Sequence, residues 1–210
     1  MKIAILSDLH GSLSALERVL EQLAPWQPDH YLLLGDLLNH GPRNPVPPGY
    51  APAAVAERLN TLASRIMAVR GNCDSEVDQM LLDFPITAPY NQMLVDGRRW
   101  FVSHGHLYRP AEVPLPAGSL FISGHTHLPV LQREGALVLM NPGSICFPRG
   151  NLAASYGRYE DGVLGIHACA DSEVLMRLEL YKRGGGDGRA AEQPAVITGR
   201  SGLDADGAGT

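Results

Sequence analysis

Cysteine and long apolar runs are scarce in this sequence. Only three cysteines occur in 210 residues, and this small odd number argues against a disulfide framework and for a reducing cytoplasm. No apolar stretch approaches the ~20 residues that a membrane-spanning helix needs. The short apolar N-terminus predicts a first strand rather than a signal peptide. We therefore expect a cytoplasmic protein with no membrane partner.

Positive charge is also in short supply. The chain has 17 lysines and arginines against 22 acidic residues, a formal net charge of −5. It therefore has no overall basic field to attract a nucleic-acid backbone or anionic lipid, and long nucleic acid is not expected as a partner. A small phosphoester remains compatible as substrate, because bound metal ions would reverse the local charge.

The hydrophobic content of 45% is enough for one sizeable core, so one domain is the default. In the first half, apolar runs at 3–6, 31–34 and 66–69 predict buried strands. Helical spacing of apolar residues predicts helices from Leu13 to Leu23 and from Val55 to Leu62, with a short third helix at 75–82. Ser14 and Glu17 match a capping box for the first helix. This alternation favours parallel pairing of the strands.

The second half of the chain lacks a long helical pattern. Asp96-Gly97, Glu134-Gly135 and Asp161-Gly162 each separate two apolar runs, which predicts hairpin turns. Residues 39–52 contain five prolines and predict a long functional loop. We expect a mixed sheet that continues into an antiparallel sheet, with helices outside. The glycine-rich residues 182–210 are predicted to be a disordered tail after a domain at 1–181.

Polar side chains follow five of the predicted strands. Side chains at the same ends of neighbouring strands converge on one rim, where open α/β sheets place ligands. Carboxylates and imidazoles are ligands for first-row divalent ions, and this set exceeds what one metal needs, which fits two metals sharing a carboxylate. The residues concerned are Asp8, His10, Asp36, Asn72, Asp74, His104, His106, His125 and His127.

The motifs SDLHG, GD, GNCD, SHGH, GHTH and NPGS follow one another in an order that resembles the calcineurin-type metallophosphoesterase superfamily, and within it the small bacterial phosphodiesterases. The resemblance covers residues 1 to about 181. It implies an α/β fold, namely a four-layer αββα sandwich of two mixed sheets flanked by helices. It also implies hydrolysis of small phosphodiesters at a dimanganese-type centre, although Fe²⁺, Co²⁺, Ni²⁺ and Zn²⁺ accept the same ligands.

The resemblance also assigns the ligands. It implies that Asp8, His10, Asp36 and His127 hold one metal, and that Asp36, Asn72, His104 and His125 hold the second. Asp36 is then the bridge, and a hydroxide shared by the metals attacks phosphorus. Asp74 and His106 are expected to orient the ligands. Gly35, Gly71 and Gly124 precede ligand segments and permit close approach of the backbone.

Cys73 stands where the superfamily usually has a histidine near the leaving group. A thiol is a poorer proton donor than an imidazolium for an alkoxide, so we expect a preference for good leaving groups such as aryl alcohols. Asn72, Cys73 and His104 are the catalytic candidates.

His40, Arg43 and Asn44 are the substrate-binding candidates, because their proline-rich loop follows Asp36 directly. Three other functions stay open: a phosphomonoesterase, a nuclease of the same superfamily, or a non-catalytic binding module on this fold. Homo-oligomers are common among related enzymes, which makes a second copy of the chain a candidate partner.

Overall fold

The computed structural model describes residues 1–181, and the predicted tail at 182–210 lies outside the described residues. The described part contains three α-helices, two short 3₁₀ turns and eleven strands. The helices are α1 Leu13–Leu23, α2 Pro52–Asn60 and α3 Glu76–Leu81, and the 3₁₀ turns are Ala63–Arg65 and Pro110–Glu112. The strands are β1 Lys2–Leu6, β2 His30–Leu33, β3 Ile66–Ala68, β4 Tyr90–Val95, β5 Arg98–Ser103, β6 Leu120–Ile122, β7 Val130–Glu134, β8 Leu137–Asn141, β9 Ser155–Glu160, β10 Val163–Ala168 and β11 Val174–Glu179.

The strands form two sheets. The six-stranded sheet has the order β11-β10-β9-β1-β2-β3, in which β1, β2 and β3 are parallel and β9, β10 and β11 pair antiparallel. The five-stranded sheet has the order β4-β5-β6-β8-β7, in which β5, β6 and β8 are parallel and the two outer strands antiparallel. Both sheets are therefore mixed, which confirms the predicted fold class.

Strand β1 shows how the layers are held together. Its side chains alternate between the two faces of the sheet, so that Ile3 and Ile5 join one core cluster while Ala4 and Leu6 join another. The first cluster also contains Trp100 of the facing sheet, and it fills the space between the sheets. The second contains the apolar faces of α1 and α2, including Leu16, Val19, Val55 and Leu59. Each buried leucine or valine contributes roughly 1.5–3 kcal/mol.

The outermost layer on the five-stranded sheet is the part that differs from the predicted helices. Phe101 and Phe121 stack on the outward face of this sheet, and Tyr90 and Tyr108 pack against Phe101. Tyr108 belongs to the connection 104–119, whose only helical piece is one 3₁₀ turn. Three prolines in this connection prevent a continuous helix, because proline lacks the amide donor.

Two local predictions are corrected. The N-cap of α1 is Ser12, whose hydroxyl accepts from the Ala15 amide at 3.3 Å, while Ser14 donates to the Pro48 carbonyl instead. The loop after β7 is Gly135-Ala136, one residue beyond the predicted turn. The predicted turns at 96–97 and 161–162 are confirmed, and both residues of each have positive φ, as a type I′ hairpin requires.

The topology sets the location of the site. The segments after β1, β2 and β3 leave from one edge of their sheet, because these strands are parallel, and the segments after β5 and β6 leave from one edge of the other sheet for the same reason. Among the described residues, no helix combines the length and apolarity that crossing a bilayer requires.

Candidate metal centre

Asp8, His10 and His127 converge at the end of β1. The Nε2 atom of His127 lies 3.2 Å from Asp8 Oδ1 and 3.3 Å from the Nε2 atom of His10. The same Asp8 oxygen is 3.7 Å from His10 Nε2. Three potential ligand atoms therefore face one point, and all three side chains are buried.

A second group adjoins the first. The Nε2 atom of His104 lies 3.5 Å from Asp36 Oδ2 and 3.1 Å from Asn72 Oδ1, and the His125 ring packs edge-on against the His104 ring. Asp36 Oδ2 is also 3.8 Å from His10 Nε2. This oxygen therefore lies between the two groups, where a bridging ligand belongs.

Backbone carbonyls fix the orientation of three of the imidazoles. The Nδ1 atom of His10 is 2.9 Å from the Asn39 carbonyl, that of His104 is 2.7 Å from the Leu34 carbonyl, and that of His127 is 2.8 Å from the Phe147 carbonyl. A carbonyl can only accept, so Nδ1 carries the proton in each ring. In the neutral imidazole the lone pair of Nε2 then points at the centre, which is the arrangement of metal-binding histidines.

The two carboxylates use one oxygen for the scaffold and present the other to the centre. Asp8 Oδ2 accepts from the Ser7 hydroxyl at 2.6 Å and the His125 amide at 3.0 Å, and Asp36 Oδ1 accepts from the Cys73 amide at 2.8 Å. Asp8 Oδ1 is buried and has no hydrogen-bond partner. A buried oxygen without a partner is costly, and a cation would satisfy it. The donor set therefore fits divalent metal ions.

Electrostatics in the metal-free centre follow from burial and from the two carboxylates. Burial alone lowers the pKa of His104, but the neighbouring Asp36 and Asp8 outweigh it and raise that pKa to about 9. Burial alone raises the pKa of Asp36, but the contact with His104 outweighs burial and holds the Asp36 pKa well below its usual range. Burial lowers the pKa of His10 and of His125. His104 therefore holds a proton at neutral pH in the metal-free centre.

Backbone strain coincides with the ligands. Five of the seven predicted ligands have positive φ, between 46° and 67°, a region that non-glycine residues seldom adopt outside functional sites. Two glycines make room for them, as the sequence predicted. A Cβ at Gly71 would lie 2.1 Å from Asp36 Oδ1, and one at Gly124 would lie 1.9 Å from Ser7 Oγ. The five residues are Asp8, His10, Asp36, His125 and His127.

Asp74 ties two of the ligand segments together. Its carboxylate accepts from the backbone amides of Asp36 at 2.9 Å, Leu37 at 2.8 Å and Gly71 at 2.7 Å. Burial raises the pKa of Asp74 to about 6 in spite of these donors. The predicted orienting role of Asp74 agrees with these contacts. His106 is exposed, with its ring 5.3 Å from that of His104.

Sequence reasoning missed the residues that brace Asp8 and His125 from the far end of β8. The Ser144 hydroxyl donates to the Asp8 carbonyl at 2.8 Å and accepts from the Phe147 amide at 2.9 Å. The Asn141 amide donates to the Gly124 carbonyl at 2.7 Å. Both belong to the NPGS motif, whose presence was a signal but whose chemistry is visible only in the fold.

A cavity of about 490 Å³ opens over the centre. It receives two of the three substrate-binding candidates, Arg43 and Asn44, together with Cys73 and an arginine that sequence reasoning missed, Arg149. His40 does not line it, since its ring packs edge-on against Tyr50 and its carbonyl accepts from the Asn44 side chain at 2.9 Å. The full lining is His10, Asp36, Asn39, Gly41, Pro42, Arg43, Asn44, Asn72, Cys73, His125, His127 and Arg149.

A second cleft of about 500 Å³ lies on the other side of Asn72. Within residues 1–181, Asn72 is the one residue that lines both spaces. Thr87, Pro89, His106 and Leu107 contribute to the walls of the second cleft, and Arg70 on its rim pairs with Glu76 at 3.1 Å. The second cleft therefore adjoins the predicted ligands at Asn72.

Cys73 faces the first cavity as a protonated thiol. Burial and the adjacent Asp36 raise its pKa to about 12. Cys73, Cys146 and Cys169 are all free.

Comparison with known proteins finds related sequences and structures. A sequence profile of the calcineurin-like phosphoesterase superfamily domain matches residues 1–160. Phosphodiesterase YfcE of Escherichia coli K12 is 51% identical over 181 residues, which make up 86% of this chain and 98% of that protein. The solved structure of the E. coli phosphoesterase Yfce has a TM-score of 0.84 at 50% identity and covers 86% of this chain and 100% of its own. Phosphodiesterase MJ0936 of Methanocaldococcus jannaschii is 25% identical over 154 residues, 70% of this chain and 85% of that protein.

Proposed function

Since the chain belongs to the calcineurin-like phosphoesterase superfamily, we propose that it is a phosphodiesterase that hydrolyses small phosphodiesters at a centre of two divalent metal ions. Two relatives, one of them 51% identical over 98% of its length, carry the name phosphodiesterase. The observation that carries the proposal is the Asp8 Oδ1 atom, which is buried without a partner and faced by imidazole nitrogens. A buried oxygen without a partner is costly, and a bound cation would remove that cost.

We assign the ligands as two groups that share Asp36. Asp8, His10 and His127 would hold one ion with Asp36, and Asn72, His104 and His125 would hold the other with the same carboxylate. The position of Asp36 Oδ2, 3.5 Å from His104 Nε2 and 3.8 Å from His10 Nε2, supports the sharing. Mixed oxygen and imidazole ligands suit Mn²⁺, and they accept Fe²⁺, Co²⁺, Ni²⁺ or Zn²⁺ as well.

Two divalent ions held by these residues would activate a water as nucleophile and offset charge on the phosphate oxygens. The chain's own contribution is to hold its groups rigidly before substrate arrives. The carbonyls of Leu34, Asn39 and Phe147 fix three imidazoles, so little reorganisation accompanies the reaction. Arg43 and Asn44 line the cavity and would contact the part of the substrate that extends from the metal ligands.

The presence of a space on each side of Asn72 favours a diester over a monoester as substrate. A diester has two substituents on phosphorus, and the spaces on either side of Asn72 offer each substituent a place. A monoester has one substituent and leaves one of these spaces unused. Long nucleic acid would meet a chain with a net charge of −5, which opposes its approach.

The test combines metal analysis with two substrates. The protein is stripped with chelator and reloaded with Mn²⁺, and bis(p-nitrophenyl) phosphate and p-nitrophenyl phosphate are assayed at each stage. We expect two ions per chain, diester turnover that chelator abolishes and Mn²⁺ restores, and a larger kcat/KM for the diester. Folded protein that binds no metal and turns over no diester would defeat the proposal.

Asp36→Asn supplies the site-directed arm of this test. It should lower kcat more than about a hundredfold, because even groups that only orient a metal ligand are worth 10–100-fold. Asp83→Asn is the matched control, since Asp83 is exposed and remote from the ligands in the chain. Equal losses in the two variants would contradict the assignment of Asp36.

A further inference from the structure

Two arginines at the first cavity have no protein partner within residues 1–181. Of the twelve arginines in this range, eight use the side chain in a hydrogen bond or an ion pair: Arg58, Arg65, Arg70, Arg98, Arg99, Arg133, Arg158 and Arg177. Arg18, Arg43, Arg109 and Arg149 do not. Two of these four, Arg43 and Arg149, line the same cavity above the metal ligands.

The two arginines reach the cavity from different loops, each attached to the centre. Arg43 lies two residues after Gly41, which packs so closely on Cys73 that a Cβ there would be 2.7 Å from Sγ. Arg149 is joined to the other end of the site, because its backbone amide donates to the His127 carbonyl at 3.3 Å. Both guanidinium groups are therefore carried by backbone that is fixed relative to the ligands.

The rest of the cavity indicates the charge of its occupant. Among the described residues that line it, Asp36 is the only acid, and its carboxylate faces His104 and His10. The aromatic side chains that line the cavity are imidazoles, so the cavity offers no phenyl or indole surface on which a nucleobase could stack. Asn39, Asn44 and Asn72 add amide groups. The cavity is thus built for a polar anion.

We propose that Arg43 and Arg149 together bind a second phosphate group on one arm of the substrate, so that the substrate class is a phosphodiester with an additional phosphomonoester on one substituent. A phosphomonoester carries nearly two negative charges at neutral pH and can be held by one guanidinium on each side, whereas a carboxylate carries one charge. Arginine also matches phosphate geometrically through paired N–H donors. This inference rests on the proposed function, because it assumes that the scissile phosphate lies at the metal ligands.

The test measures binding with ligands that cannot be hydrolysed. Calorimetry on the Mn²⁺-loaded protein compares alkylphosphonates with α,ω-alkane bisphosphonates of the same chain length, from ethane to hexane. For at least one length the bisphosphonate should bind more than about tenfold more tightly than the monophosphonate, since a charge-assisted hydrogen bond contributes about 1.5–3 kcal/mol and tenfold corresponds to 1.4 kcal/mol. Added salt should reduce this ratio.

Arginine variants distinguish binding of the second phosphonate by the guanidinium groups from chelation of the metals by that phosphonate. Arg43→Ala and Arg149→Ala should each lower the bisphosphonate ratio at least about fivefold, while Arg18→Ala, which removes the same charge from the exposed face of α1, should retain it. Thermal melts confirm that each variant is folded. An affinity ratio of bisphosphonate to monophosphonate near one at every chain length overturns the proposal. A ratio that stays high in Arg149→Ala also overturns it, because chelation of the metals would then explain the tighter binding.

Failure of this inference and failure of the proposed function give different results. Turnover of bis(p-nitrophenyl) phosphate with no bisphosphonate advantage removes the second-phosphate site and leaves the phosphodiesterase. An arginine-dependent advantage in a protein that turns over no diester removes the phosphodiesterase and leaves the anion site.

Discussion

At the scale of single residues, the centre depends on side chains that do two things at once. Asp8 and Asp36 each give one carboxylate oxygen to backbone amides or a hydroxyl and the other to the centre. His10, His104 and His127 each give Nδ1 to a carbonyl and Nε2 to the centre. A substitution at any of these positions therefore disturbs both the fold and the chemistry, and its interpretation needs a measurement of each.

Cys73→His tests the expectation that a thiol at this position favours good leaving groups. An imidazolium is a better proton donor than a thiol whose pKa is raised to about 12. The variant should therefore gain activity on alkyl diesters relative to aryl diesters by at least about tenfold, since a well-placed general acid contributes up to about 10²–10⁴-fold. Steady-state kinetics with methyl p-nitrophenyl phosphate and dialkyl esters measure the ratio. Cys169→Ser, a change at a buried thiol outside the cavity, is the control, and an unchanged substrate ratio in Cys73→His would sink the idea.

At the scale of elements, the site is a set of connections held against one another. The segments after β2 and β3 are joined by Asp74, and the segment after β1 is joined to the region after β8 by Ser144. No helix or strand carries the ligands directly, so these few hydrogen bonds set the distances between them. The left-handed backbone at five ligands is kept in place by the same connections.

Asp74→Asn tests whether the hydrogen bonds of Asp74 position the predicted ligands as well as stabilise the fold. An amide has one acceptor oxygen where the carboxylate has two, so at least one of three buried amides is left facing another donor. Unfolding free energy should fall by about 1–3 kcal/mol, and the metal dissociation constant should rise about 10–100-fold. Denaturant titration and metal-binding isotherms give the two numbers.

Asp78→Ala is the comparison for that variant. It removes the side-chain acceptor that Asp78 supplies to the capping box of α3, which should cost roughly 1 kcal/mol and leave metal affinity unchanged. If Asp74→Asn lost stability without losing affinity for metal, its connection between the two segments would not position the ligands.

The sequence predicts features that depend on residues adjacent in the chain, and it misses contacts between residues that are far apart in the chain. Apolar runs identify β1, β2 and β3, and the polar residues that follow them identify the ligands, because a strand and its end are adjacent in the chain. Ser144 braces Asp8 across 136 positions, and Arg149 reaches the cavity from a loop with no pattern of its own. The Ser14-Glu17 spacing predicted the wrong N-cap for α1, because the spacing carries no information about Gly49, which is distant in the chain and packs against Ser14.

At the scale of the whole molecule, His104 links stability to pH. Its pKa in the metal-free protein is about 9, above the ordinary value of about 6.5 that it regains on unfolding. A raised native pKa stabilises the fold below the unfolded pKa, and this stability is lost as pH rises through the native pKa. Under the proposed ligand assignment, metal binding would require the neutral His104 ring, so loading would remove this proton and with it the pH dependence.

Denaturant unfolding of the metal-free protein between pH 7.5 and 8.5 tests this linkage. In this window the histidines whose pKa burial lowers are almost entirely neutral in both the native and the unfolded state, so the His104 proton sets the slope. The free energy of unfolding should fall by about 1 kcal/mol across the window, since one proton held only by the native state corresponds to 1.36 kcal/mol per pH unit. Metal-free His104→Gln should show a nearly flat profile. His167→Gln, a change at a histidine whose pKa is lowered by burial, should keep the slope. A metal-free parent whose stability does not change over the window would refute the assignment of the proton.

Asn72 lines both the first cavity and the second cleft, and under the proposed function this bears on product release. Cleavage of a diester gives a phosphomonoester and an alcohol. If each product occupied the space on its own side of Asn72, neither would have to pass the other to reach solvent. Either product could then leave first, and a retained product would block one exit and not the other.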